Sequence, residues 1–257
     1  MQTMLGFAYK QSGQFALARR YYEKALNNVG KTAAFDPDRA AIFDFFASLE
    51  TEAGNLSSAG SLFLQALEID KRLMDHERLT TIYTHLAGLE IKARRFKEAQ
   101  RYLNLAMREQ QQVANSRMKL LVDIYGTKGW LANVNNHNDE AVYDYSQALE
   151  ACEKSYGNHH PLVGWSYLLL GKAQGENGDL KEGLDTMDKG LSILKSTVGT
   201  NDVRYLIGEI AYSTMLDRTG KHGEAQRLSV EAEHSLPDAL KAHCRDCSTS
   251  VWSLRFH

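Results

Sequence analysis

The chain repeats one pattern about every forty residues, and this repetition constrains the fold more than any other feature of its 257 residues. One column of the pattern holds a small residue in every copy: Ala18, Ala59, Ala99, Ala141, Gly183 and Ala225, at steps of 41, 40, 42, 42 and 42 residues. A second small-residue column lies seven residues on, at Ala25, Ala66, Ala106, Ala148, Gly190 and Ala232. Because six copies cover nearly the whole length, the sequence predicts stacked repeats and not a single globular core.

Each repeat has the pattern of two amphipathic helices joined by a short turn. In the second copy, Ile42, Phe46 and Leu49 recur at helical spacing and form one apolar stripe. The turn column holds Gly13, Gly54, Arg94, Asn136, Gly178 and Gly220. Glycine and asparagine are typical of a turn that needs a left-handed residue, which makes Arg94 the exception. The fold class predicted is therefore all-α, with about six antiparallel helix pairs.

The repeat also resembles a known family. Its first copy reads Leu5-Gly6-x-x-Tyr9, then Ala18, Tyr22 and Ala25. This pattern is similar to the tetratricopeptide repeat, and the period near 42 resembles the variety found in kinesin light chains and bacterial regulators. The segment Tyr156–Pro161 looks like the Gly-x-x-His-Pro joint of that variety. The resemblance implies a right-handed superhelix whose concave face, lined by the first helix of each pair, binds an extended peptide or a partner helix.

No charge run or flexible linker interrupts the repeats. We therefore predict one continuous domain of six repeats over residues 1–235, followed by a capping helix and tail over residues 236–257. Met1 already falls inside the first helix of the first repeat. This position favours a fragment of a longer protein or a misassigned start.

Composition disfavours several classes of partner. The chain has 30 Lys and Arg against 32 Asp and Glu, so it lacks the basic excess typical of proteins that bind nucleic acid or anionic membranes. The longest apolar stretch is about four residues, far below the roughly 20 that cross a bilayer. No signal-peptide pattern is present, and three cysteines are too few for a disulfide framework. We expect a cytoplasmic protein that binds no nucleic acid and does not insert into membranes.

The family geometry predicts which side chains line the groove. They are Phe7, Asp44, Ser48, His85, Trp130, Trp165 and Lys172. Trp130 is the main candidate, because an aromatic side chain in a groove is a good peptide anchor. The alternative for Trp130 is packing between neighbouring helices. The Lys and Asn clamp of chaperone-binding relatives is missing, since the matching columns hold residues such as Asp44 and Gly126.

The pair Cys244-x-x-Cys247 leaves three interpretations open. It could be half of a zinc site with His234 or His257, a redox pair, or an incidental pair. The spacing matches no standard zinc finger, and the pair is not placed at the start of a helix beside a strand, where redox pairs occur.

No array typical of catalysis or of a phosphate-binding loop occurs, so we expect no enzyme and no cofactor. Glu50 and Glu90 occupy the same column of successive repeats, which favours a structural role. The predicted function is a protein-interaction module that holds a peptide or helix of another protein in its groove. The alternatives are a regulator that responds to a signalling peptide as part of a larger protein and, less favoured, a metal or redox protein that uses Cys244 and Cys247.

Overall fold

The computed structural model describes residues 1–11, 13–29, 36–113 and 118–242, and all regular structure in these ranges is helical. The first six helices are α1 (Gln2–Gln11), α2 (Phe15–Val29), α3 (Pro37–Glu52), α4 (Leu56–Leu73), α5 (His76–Lys92) and α6 (Phe96–Gln110). The other six are α7 (Met118–Val134), α8 (Asn138–Tyr156), α9 (Pro161–Glu176), α10 (Leu180–Thr197), α11 (Val203–Asp217) and α12 (His222–Ala242). The predicted fold class, an all-α array of helix pairs, is confirmed.

The chain forms two compact units, where the sequence predicts one continuous domain. The first unit is Met1–Thr127 and contains α1 to α6 with the beginning of α7. The second is Lys128–His257 and contains the rest of α7 with α8 to α12. The sequence shows no change of composition at this boundary, which explains why the division was not predicted.

In the first unit, helices α1 to α6 pack in pairs, and each helix of the first two pairs also packs against the first helix of the next pair. The small residues of the second helices lie where the helices touch, and Ala18, Ala59 and Ala99 are all fully buried. The Tyr22 ring of α2 lies directly on the backbone of α1, since a Cβ atom at Gly6 would stand 2.7 Å from its Cε1 atom. Glycine at this position makes room for the tyrosine.

The second unit contains an even closer helix pair. A Cβ atom at Gly183 of α10 would stand 2.5 Å from the carbonyl oxygen of Gly171 on α9, and one at Gly190 would stand 2.6 Å from that of Gly164. The backbones of α9 and α10 are therefore in direct contact. Helices α8 and α11 also pack against α9, which leaves little of α9 exposed.

Helix α12 crosses the boundary predicted between residues 235 and 236. It runs continuously from His222 to Ala242 with Pro237 inside it, so no separate capping helix starts there within the described residues. Proline removes one backbone hydrogen bond and disfavours a helix interior. Leu236 and Ala239 nevertheless pack against the core of the second unit, and this contact holds the segment in helical form.

All six turns inside the pairs use a left-handed residue, as the sequence predicts. The φ angle is 70° at Gly13, 82° at Gly54, 108° at Gly178 and 84° at Gly220. Arg94 and Asn136 adopt the same conformation, with φ of 58° and 59°. A side chain in this region strains the backbone at Arg94 in particular.

We expect Arg94→Gly to stabilise the first unit by about 0.5–1 kcal/mol. Glycine removes a left-handed strain of roughly 1–2 kcal/mol, and the greater entropy of the unfolded chain cancels only part of that gain. Urea unfolding of both proteins measures the difference. Arg94→Ala is the control, because it keeps the Cβ atom; an equal gain in that variant would contradict the backbone explanation.

None of the helices within the described ranges is long and apolar enough to cross a membrane.

Candidate functional site

In the first unit, polar side chains on the first helix of one repeat form hydrogen bonds and ion pairs with side chains on the first helix of the next repeat. Lys10 of α1 donates from its Nζ atom to Ser48 Oγ of α3 at 2.7 Å. The same Nζ atom lies 2.8 Å from Glu52 Oε1 at the end of α3. Only 9% of the Lys10 side chain is exposed, so this ion pair is largely shielded from solvent. Two successive first helices are joined through these contacts.

Lys92, at the end of α5, belongs to the same group. Burial lowers the pKa of the Lys92 amine, and the positive charge of Lys10 lowers it further. The negative charge of Glu52 acts in the opposite direction and offsets part of the decrease. Within the described residues the Lys92 amine makes no hydrogen bond or ion pair. One carboxylate and two amines therefore share this end of the site.

Further along the same helices, His85 of α5 pairs with Asp44 of α3. The distance from His85 Nδ1 to Asp44 Oδ1 is 2.6 Å, and the ring of Phe63 lies 5.9 Å from the imidazole. Desolvation acts to lower the pKa of His85, but the Asp44 carboxylate, with a contribution from Asp123, more than offsets it. The pKa of His85 is therefore raised above its usual value. Although 41% of the side chain is exposed, the surrounding helices desolvate its charge.

Asp123 lies in the part of α7 that belongs to the first unit. Like His85, it is both exposed to solvent and desolvated by the surrounding protein. Its side chain is exposed, yet burial raises the pKa of its carboxyl group, and the nearby His85 charge only partly opposes that rise. No described side chain makes a hydrogen bond to this carboxylate. The carboxylate of Asp123 is therefore open to solvent while the protein atoms around it disfavour its charged form.

Tyr22 lies below this surface. Its side chain is fully buried, and its hydroxyl group has no hydrogen-bond partner among the described residues. Burial raises the pKa of the phenol, and the carboxylates of Glu52 and Asp44 raise it further. The carboxylates of Glu52 and Asp44 therefore act on this buried hydroxyl group.

In the second unit, the first helices are linked around Glu176 of α9. Lys172 Nζ lies 2.6 Å from Glu176 Oε1, and the amide of Asn133 on α7 donates to the same carboxylate. Asn138 of α8 donates to the Glu176 backbone carbonyl at 2.9 Å. Trp130, on α7, is partly exposed.

Glu50 and Glu90, which lie four residues before the turn column, are structural. Arg19 binds Glu50 through two hydrogen bonds of 2.8 and 2.9 Å, and Asn55 adds a third at 2.8 Å. Glu90 is held in the same way by Arg95. Each glutamate ties the end of a first helix to the beginning of a second.

Comparison with known proteins agrees with this architecture. Sequence models described as tetratricopeptide repeat match residues 123–196 and residues 1–28. The chain is a tetratricopeptide-repeat protein. No curated protein sequence matches it.

Two crystal structures resemble this tetratricopeptide-repeat protein over most of its length. One is BtubC (BKLC) from P. vanneervenii, with a TM-score of 0.71 and 19% identity, covering 90% of this chain and 94% of that one. The other is a Rap protein complexed with Competence and Sporulation Factor, with a TM-score of 0.72 and 15% identity, covering 93% of this chain and 67% of that one. At such identities the likeness shows the fold.

The structure brings some of the predicted groove residues together. Asp44 and His85 are in contact, and Ser48 lies beside them on α3. Phe7 of α1 packs edge to face on Phe45, with 5.9 Å between ring centroids. In the second unit, Trp130 and Lys172 lie on successive first helices of this tetratricopeptide-repeat protein. Their role in binding stays a prediction.

The prediction that Trp165 lines the groove is wrong. Its side chain is 2% exposed and belongs to the hydrophobic core of the second unit, together with Leu168 and Leu206. The cause is the direct packing of α11 against α9, which covers this part of α9.

Sequence reasoning did not place Lys10, Glu52, Lys92 or Asp123 in the groove. A usable signal was present, because two contacting pairs are separated by one repeat period: Lys10 and Glu52 by 42 residues, and Asp44 and His85 by 41. Ionisable groups of opposite charge at that spacing on successive first helices are placed to meet. A search for such pairs would have found both contacts.

The proposed cysteine site is not addressed by the structure. Cys244 and Cys247 lie outside the described residues, as does His257. Within the described ranges, no group of three or more His, Cys, Asp or Glu side chains is placed to hold a metal ion.

Proposed function

We propose that this tetratricopeptide-repeat protein acts by binding a peptide or a helix of another protein against the first helices of its pairs. The observation that carries the proposal is the contact of 2.6 Å between His85 Nδ1 and Asp44 Oδ1 on successive first helices, at a place that solvent reaches. Asp123 acts on the same imidazole. His85 and Asp123 are accessible to solvent and yet desolvated, which costs folding free energy without improving the core. Ionisable groups in such surroundings cluster at functional sites.

The repeat architecture supports the same proposal. Contacts such as Lys10 to Ser48 and Glu52 fix side chains of successive first helices in place before any partner arrives. A surface ordered in advance loses little entropy on binding. The proposed action is binding and not catalysis.

A second candidate is a regulator that responds to a signalling peptide. The Rap structure that resembles this chain was solved with Competence and Sporulation Factor, and this favours a peptide as the bound partner. In such a regulator the peptide would change the arrangement of the repeats and so act on an attached domain. The metal or redox alternative at Cys244 and Cys247 stays a prediction, and metal analysis of the purified chain tests it.

Selection from a library of random short peptides tests the proposed function. The full chain is immobilised, and displayed peptides are enriched over several rounds. We expect a family of related sequences that binds the chain in solution and competes for one site. If no sequence is enriched above an unrelated helical protein, peptide binding is wrong.

Trp130→Ala tests the second unit. Because Trp130 is partly exposed, we expect the selected peptides to bind about 2 kcal/mol more weakly, as for an aromatic anchor, with a small change in melting temperature. Trp165→Ala is the matched control: it empties a buried site and is expected to cost about 3–5 kcal/mol of stability. A large loss of stability in Trp130→Ala with unchanged peptide affinity would assign Trp130 to helix packing.

A further inference from the structure

Helix α6 carries a row of basic side chains on the face opposite to its buried one. This outer face holds Lys97, Arg101, Asn104 and Arg108, all of them exposed. Their spacing of four, three and four residues keeps them on one side of a helix. The buried Ala99 and Leu103 lie on the other side, against α5. We name Lys97, Arg101 and Arg108 the basic stripe.

The basic stripe is specific to the third repeat. In the other five second helices, the same four positions hold at most one lysine or arginine. Four of those five helices carry aspartate or glutamate there, as α8 does with Asp139 and Glu150. Helix α6 carries three basic residues and no acidic one at these positions. Since the other pairs fold without such a stripe, the helix pair does not require it.

Little of the charge in the basic stripe is neutralised within the protein. Among the described residues, the side chains of Lys97 and Arg108 make no hydrogen bond or ion pair. Arg101 lies 3.1 Å from Glu98, but these side chains are 63% and 48% exposed, so the pair is weak. Lys97 and Arg101 are four residues apart, and like charges at that spacing destabilise a helix.

Arg94 extends the positive charge beyond the start of α6, and it supplies a separate observation. It is exposed, and its Cα atom lies within about 11 Å of that of Lys97, because only three residues separate them. Its φ of 58° strains the backbone at a place where four of the other five turns have glycine. In the part of the chain that the structure describes, its side chain makes no hydrogen bond or ion pair that would offset this strain. Strain of this kind is typical of functional positions.

We propose that the basic stripe, together with Arg94, binds an acidic helix of a partner protein. This surface belongs to a second helix, and it is separate from the first helices that we propose as the peptide site. Lys97 and Arg108 are 11 residues apart, so the stripe is about 16 Å long. A partner helix with carboxylates at the same spacing would place one opposite each basic side chain.

Charge complementarity favours a protein over a nucleic acid as this partner. The whole chain has a formal net charge of −2, which disfavours a long polyanion, whereas a short acidic helix would meet only the local positive charge. Because exposed ion pairs are individually weak, several must act together, and binding should depend strongly on salt.

A synthetic acidic helix provides the test. The probe has glutamate at positions i, i+4, i+7 and i+11 with alanine and glutamine elsewhere, and its twin has glutamine at those four positions. Fluorescence anisotropy measures the binding of each to the full chain. At about 0.1 M salt we expect the glutamate peptide to bind about tenfold more tightly than its twin, as for a few exposed ion pairs. At about 0.5 M salt the difference should disappear.

Charge reversal locates the binding surface. The triple variant Lys97→Glu, Arg101→Glu and Arg108→Glu should bind the glutamate peptide no better than the twin. The matched control reverses three exposed basic residues of α2 and α4, with Arg20→Glu, Lys24→Glu and Lys71→Glu. The two triple variants change the net charge equally, so the control should keep the affinity within about twofold if the site is local.

Arg94→Gly gives a readout that a purely structural residue would not give. We expect this variant to be more stable than the unchanged chain and yet to bind the glutamate peptide about twofold to fivefold more weakly, as for one lost exposed ion pair. Greater stability with unchanged affinity would remove Arg94 from the proposed surface.

Four results would overturn the acidic helix as the partner. Equal affinity of the two peptides at about 0.1 M salt, or equal losses in the two triple variants, would show that the basic stripe has no specific role. Tighter binding of a single-stranded oligonucleotide, lost in the stripe variant alone, would assign the stripe to nucleic acid. Concentration-dependent dimers that the stripe variant abolishes would assign it to a second copy of this chain.

Discussion

Gly183→Ala is expected to destabilise the second unit by about 3 kcal/mol, although alanine is the better helix former. The new Cβ atom would stand 2.5 Å from the carbonyl oxygen of Gly171 and 2.9 Å from the backbone nitrogen of Gly175. Backbone atoms cannot move aside as a flexible side chain can, so α9 and α10 must separate. Overpacking of this kind typically costs roughly 1–3 kcal/mol, and a clash with backbone belongs at the upper end. Denaturant unfolding measures the loss.

Gly126→Ala is the matched control. Gly126 also lies inside a helix, α7, but no atom lies within 4 Å of the position its Cβ would take. We expect this variant to gain up to about 1 kcal/mol from helix propensity alone. The two substitutions are chemically identical and should change stability in opposite directions; a gain in both would show that α9 and α10 are not in close contact.

The second large effect is expected from Ala99→Trp. Ala99 is fully buried at the contact between α5 and α6, and an indole ring cannot fit there without pushing the helices apart. We expect a loss of about 3 kcal/mol or more, or failure to fold. The melting temperature and the yield of folded protein measure the effect.

Lys97→Trp places the same ring two residues earlier on α6, at an exposed position. We expect a change within about 0.5 kcal/mol, as for most surface substitutions. Equal melting temperatures for the two tryptophan variants would mean that the small-residue column has been placed on the wrong face of the helix.

The repeated features of the fold could be predicted from the sequence because each is set by local chemistry. A left-handed turn residue and a small residue at a helix contact are needed in every copy, so six copies reveal them. Arg94 and Asn136 were placed in the turn column by alignment, and both have positive φ. The continuation of α12 through Pro237 could not be predicted, because packing against the core outweighs the local preference.

The candidate site was predicted only in part, for a different reason. Whether a side chain is buried depends on which neighbouring helix covers it, and the repeat column does not specify this. Asp123 and Trp165 occupy the same column, 42 residues apart, yet Asp123 is exposed and Trp165 lies in the core beneath α11. Charged contacts such as Lys10 with Glu52 join different copies, so a search within one copy cannot find them.

The contact between Gly6 and Tyr22 has a consequence for how such a chain can change through evolution. In the first five repeats the second helix carries one large residue between its two small ones: Tyr22, Phe63, Leu103, Tyr145 and Met187. The residue sixteen positions earlier, on the first helix, is glycine in the repeats with Tyr22, Tyr145 and Met187, and alanine in those with Phe63 and Leu103. A larger residue on one helix therefore requires a smaller one on the other, and neither can change alone without a gap or a clash. We expect the two positions to covary among related sequences, with glycine replaced by alanine only where the tyrosine has already been lost.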